Sequence, residues 1–141
     1  MTANIATATD PGATLNQLAL AMRASRALHA AAVLDLAGLL ADGPRDSASL
    51  AAATGTHPGA LRRLMRALSA FGVFAEPAPG IFAPTPVSDR LRDDAPNSMR
   101  SAVLFLAGDT RWKCWGDMLT SLRTGAPAAD RVLLLKKDLG T

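Results

Sequence analysis

The sequence predicts a mainly α chain: a winged helix-turn-helix with a small β-hairpin wing and additional long helices for dimerisation. Three observations predict it. Between Ser47 and Thr85 the residues read as helix, turn, helix and two short strands; helical periods on either side are too long and too apolar for that unit to cover; and Gly and Pro fall where the elements must end.

Residues 1–12 are small and polar and are expected to be disordered. From Thr14 to Ala41 one helical period runs on, with Leu15, Leu18, Met22, Leu28, Ala32, Val33, Leu36, Leu39 and Leu40 on its apolar face. Such a helix either breaks near Arg23 to Arg26 or reaches out to embrace another subunit. Asp42-Gly43-Pro44 ends it.

Ser47 and Ser49 to Ala53 form a short helix that stops at Thr54-Gly55. Thr56 is placed to cap the next helix, and Pro58 sits in its first turn, where a missing N–H costs nothing. Leu61, Leu64, Met65, Leu68 and Phe71 make its apolar stripe, and Gly72 tolerates the left-handed cap that ends it. Val73 to Glu76 read as a strand, Pro77 to Gly80 as a turn, and Ile81 to Ala83 as the returning strand.

Pro84-Thr85-Pro86 leads into a polar turn, Val87 to Arg92. Two further helices are expected, Ser98 to Ala107 and Asp109 to Arg123; the second carries Trp112, Trp115, Leu119 and Leu122 on one stripe before Gly125-Ala126-Pro127 ends it. Those tryptophans are expected in a core or an interface rather than a ligand cage. Val132 to Leu135 would form a stub strand or a helical turn.

The 141 residues suffice for one domain, and 49% hydrophobic with 19% charged residues implies apolar surface covered by a partner. The net charge is only +3, weak grounds for a nucleic-acid partner. Cys114 stands alone, so neither a disulfide within the chain nor a Cys-based metal motif is available; a buried bystander thiol is expected. The N-terminus lacks the pattern of a signal peptide, and no apolar run approaches the roughly 20 residues of a membrane span. The expected location is therefore cytoplasmic, with no membrane partner and no metal.

A winged helix invites comparison with DNA-binding regulators, in which Arg62, Arg63 and Arg66 would grip phosphates. Phosphate contacts position a protein without specifying sequence. The turn that should face base edges is His57-Pro58-Gly59-Ala60, and from Ala67 to Asp89 there is no Lys or Arg, while Glu76 stands in the wing. Nucleic acid is thus the alternative reading rather than the preferred one.

The stretches LDLAGLLADGP, ATGTHPGALRRLMRAL and the W-x-x-W helix followed by RTGAP resemble the N-terminal dimerisation domain of S-adenosylmethionine-dependent O-methyltransferases of small natural products, the hydroxyneurosporene and plant caffeic-acid type. The likeness runs from about Leu15 to Ala128. It implies a winged-helix dimerisation domain over 13–128 and a homodimer with intertwined first helices. It also implies an acceptor pocket with Phe105, Leu106 and Trp112 on one wall and with Met22, Ser25 and Arg26 reaching across from the partner subunit.

The same resemblance implies a Rossmann-like catalytic domain with a glycine-rich loop for S-adenosylmethionine and a His general base. Neither is found: after Gly125 the only glycine is Gly140, and His29 and His57 read as a satisfied helix histidine and a capping-region residue. Residues 129–141, AADRVLLLKKDLGT from Ala128, form an atypical tail, as a shifted reading frame or an early stop would produce. The expected function is the dimerisation and substrate-lid module of a methyltransferase. No cofactor site, no catalytic residue and no methyl transfer are expected from this chain alone.

Overall fold

A computed structural model describes residues 10–138, with side chains as far as Leu133. The expected disorder of residues 1–12 falls mostly outside these residues, but Asp10 to Gly12 are ordered: Asp10 caps helix α1 (Pro11–Val33), its carboxylate accepting from the N–H groups of Gly12 at 3.0 Å and Ala13 at 3.2 Å. The helix starts earlier than the apolar period suggested, because cap and Pro11 lie upstream of the first leucine.

It also ends elsewhere. The break comes not near Arg23 to Arg26 but at Asp35, whose φ of 51° turns the chain left-handed before α2 (Leu36–Leu39). The turn lets Leu36, Ala37 and Leu40 enter the core beside Ala31, which a straight helix would carry past it.

Strand β1 (Arg45–Asp46) then precedes α3 (Ser47–Thr54), capped by Asp46, which accepts from the Ser49 N–H at 2.8 Å. Gly55, with φ 64°, ends α3. Helix α4 (Pro58–Ala70) is capped by His57, not Thr56: imidazole Nδ1 accepts from the Ala60 N–H at 3.3 Å. Thr56 instead shares a 2.9 Å hydrogen bond with Thr54. Leu61, Met65 and Leu68 of the expected stripe are buried, whereas Phe71, just past the helix end, is 55% exposed.

Strands β2 (Ala75–Ala78) and β3 (Ile81–Ala83) form the expected hairpin around Gly80, but the sheet has three strands, antiparallel in the order β1-β3-β2, because Arg45 pairs with Phe82 and Asp46 with Ile81. Phe74 and Phe82 bury one face of the hairpin against Leu50, Met65 and Leu68. A short turn, α5 (Pro86–Asp89), is held by a reciprocal cap: Thr85 Oγ1 accepts from the Ser88 N–H at 3.2 Å and Ser88 Oγ accepts from the Thr85 N–H at 2.8 Å.

Three helices follow in place of the two expected: α6 (Arg100–Leu106), α7 (Asp109–Gly116) and α8 (Met118–Thr124), the last two separated at Asp117. Helix α9 (Ala128–Asp138) returns against α7 and α8, so of the stub strand and the helical turn expected for Val132 to Leu135 the helical form is found, within a longer helix; the side chains of Leu134 and Leu135 lie outside the described residues.

Candidate functional site

Two arginines fasten α6 antiparallel to the inner half of α1. Arg100 donates Nε to the Ala32 carbonyl at 2.9 Å and Nη1 to Asp93 at 2.6 Å. From the other side, Arg26 on α1 donates Nη1 to the Ala107 carbonyl at 2.9 Å and Nη2 to Asp109 at 3.0 Å. The hydrogen bond from Arg26, reinforced by its charge, holds the Asp109 carboxyl below the usual carboxylate range.

Between α6 and α7 the chain turns at Gly108, where a β-carbon would lie 2.4 Å from the Leu104 carbonyl oxygen. Only glycine allows this close approach. The turn presents Phe105 outward at 62% exposure, and the Arg111 guanidinium lies over its ring, 4.4 Å from the centroid. Phe105 and Arg111 share a small cavity of about 340 Å³ with His29, Leu104, Gly108, Asp109 and Thr110.

Arg111 also borders a larger cleft, about 580 Å³, between α7, α8 and α9. Its walls are chiefly apolar: Trp115, Met118, Pro127, Ala128, Ala129 and Leu133, with Thr110, Cys114 and Ser121 among them. Arg131 braces it, bonding Asp117 at 2.6 Å, Ser121 Oγ at 2.9 Å and the Ala126 carbonyl at 3.3 Å. Hydrogen bonds from Thr120 and then Arg131 keep the Asp117 carboxyl low.

Of the residues named from sequence, Phe105 joins the smaller cavity, while Leu106 and Trp112 line neither of these two. Met22 and Ser25 are exposed on α1, and Arg26 is turned into its own chain at the α6–α7 corner. Cys114 is not a buried bystander but half-buried in the cleft, because α7 is covered on one side only. His29 is not satisfied by a hydrogen bond among the described residues; it faces the smaller cavity. Arg111 and the cleft had no signal in the sequence, since one needs the Gly108 turn and the other needs α9.

On α4, Arg66 pairs with Glu76 at 3.7 Å, Glu76 also accepts from the Gly80 N–H at 2.9 Å, and the Arg62 guanidinium lies beside Gly80. Part of the basic strip thus packs over the hairpin; Arg63 is exposed. Among the described residues no three of His, Cys, Asp and Glu gather to hold a metal ion, and no helix is long and apolar enough to cross a membrane. The left-handed glycines Gly43, Gly55, Gly72, Gly80 and Gly125 stand singly at turns, and the sheet is antiparallel with strands of two to four residues. Among the described residues no closely spaced glycines stand between a strand and a helix, the arrangement that seats the nucleotide in a doubly wound fold.

The sequence profile of the O-methyltransferase dimerisation domain matches residues 16–94. The chain is 46% identical over 101 residues to 8-amino-8-demethylriboflavin N,N-dimethyltransferase of Streptomyces davaonensis, covering 72% of this chain and 29% of that protein. It is 37% identical over 117 residues to phenazine O-methyltransferase PhzM of Lysobacter antibioticus, covering 83% of this chain and 32% of that protein. The crystal structure of LaPhzM superposes with a TM-score of 0.81 at 34% identity, over 94% of this chain and 38% of that one. The chain therefore spans about a third of the length of such relatives.

Proposed function

The chain belongs to the O-methyltransferase dimerisation-domain family, and from that premise we propose that it pairs with an identical copy and supplies one wall of a small-molecule acceptor pocket. The observation that carries the pairing is the apolar surface left uncovered: Leu15, Leu18 and Met22 on α1, and Leu119 and Leu122 on α8, are all more than half exposed. A twofold contact using both patches would bury more than about 2,000 Å².

The acceptor is proposed to be flat and aromatic. The two relatives are named for a riboflavin derivative and a phenazine, both fused-ring systems, and the cleft volume of about 580 Å³ suits a molecule of that size. In this reading Phe105, Leu106 and Trp112 face the acceptor side, and Met22 and Ser25 approach the partner subunit. Arg26 supports the wall from within its own chain.

The whole enzyme would transfer a methyl group from S-adenosylmethionine to the acceptor. This segment's part is to shape the pocket and exclude water from it; alone it is expected to be inactive, because methyl transfer needs donor and acceptor aligned. Light scattering at micromolar concentration tests the pairing. A mass of twice 14.6 kDa is the expected result, and a single copy would overturn the proposal.

A further inference from the structure

We propose that Arg111 reads an anionic substituent on the acceptor, so that the cleft between α7, α8 and α9 selects flat aromatic acids. This rests on the acceptor-wall reading above and adds the charge of the ligand to it.

Five of the chain's twelve arginines are neutralised. Arg26, Arg66, Arg92, Arg100 and Arg131 each pair with a carboxylate. Arg111 has no such partner among the described residues; its contact is the face of Phe105. Asp109, two residues away, bonds to Arg26. Stacking uses the flat face of a guanidinium and leaves its in-plane N–H donors free, the geometry that takes a carboxylate with two parallel hydrogen bonds.

The surroundings give this charge a purpose. Arg111 lines both cavities, at the border between the Phe105 recess and the larger cleft. Trp115, Met118, Pro127 and Leu133 offer a fused ring system apolar walls. Next to such low-dielectric walls an ionic pair is stronger than in open water. A ring lying along Trp115 with its acidic group towards Arg111 satisfies both halves of the site.

The test follows the indole N–H resonances by NMR while 1-naphthoate or its uncharged counterpart 1-naphthamide is added. Trp115 lines the cleft, and the movement of its resonance reports binding there. Naphthoate is expected to bind about fivefold to tenfold more tightly than the amide, a preference abolished in Arg111→Gln and partly kept in Arg111→Lys. Arg111 is exposed, so neither change should disturb the fold. If both probes move Trp115 but Arg111→Gln leaves their ratio unchanged, Arg111 does not read charge, and the acceptor wall stands without it. If neither probe moves Trp115, the acceptor-wall reading itself fails.

Discussion

The Arg26 guanidinium on α1 stands 5.1 Å from the centroid of the Trp112 ring on α7 while its N–H groups bond the Ala107 carbonyl and Asp109. One side chain thus holds three helices together. Arg26→Ala should cost about 1–2 kcal/mol in urea denaturation, mostly from the part-buried bond to the carbonyl, since the Asp109 side is open to water. Arg26→Lys should restore little, because an ammonium group cannot stack flat and bond twice. Full recovery with lysine would mean that charge alone holds the corner.

Gly108→Ala should be worse than its size suggests. The new methyl would meet the Leu104 main-chain oxygen at 2.4 Å, so α6 and α7 must separate, at about 1–3 kcal/mol. Gly116→Ala is the control, as nothing lies within 4 Å of its would-be β-carbon. Equal stability of the two variants would count against a tight turn at Gly108.

Acid should weaken the fold through identifiable groups. A main-chain N–H of Ser49 lowers the Asp46 carboxyl, Arg92 lowers that of Asp94, Arg26 that of Asp109, and Thr120 with Arg131 that of Asp117. Each folded-state pKa lies below its unfolded value, so the stability these groups contribute is fully present above the unfolded pKa. It is lost as pH falls below about 4 and through the folded values. Urea midpoints measured down this range should drop, and the drop should shrink in Asp109→Asn with Asp117→Asn. An unaltered acid limb in that double variant would assign the loss to other carboxylates.

Association and folding should be linked. The melting temperature is expected to rise with protein concentration, and Leu18→Asp or Leu119→Asp should yield a folded single copy in sedimentation, because both side chains are already more than half exposed. Melting that ignores a dilution of about a hundredfold would argue against pairing.

The helix-turn-helix and hairpin were legible because local rules decide them: Gly55 and Gly80 adopt the positive φ that their turns need, and Leu61, Met65 and Leu68 keep one face of α4. Elsewhere local rules were silent. Asp35 is a non-glycine residue with positive φ inside an unbroken apolar period, and only the core's demand for Leu36 and Leu40 explains it. Strand β1 has two residues and exists by pairing with β3, a partner far along the chain. Phe105 was singled out by family resemblance, but the cation that covers it was not, since Phe105 and Arg111 lie on different helices joined by a turn that the apolar period does not encode.

Along α1 the environment changes from one end to the other: nearly every residue from Pro11 to Arg23 is exposed, whereas Ala31 and Ala32 are 1% exposed. An isolated stretch of about a dozen residues is a marginal helix in water. Amide protons near Leu15 should therefore exchange through fraying of the end, and those near Ala31 only through opening of the whole domain, a gradient that flattens wherever the outer turns become covered.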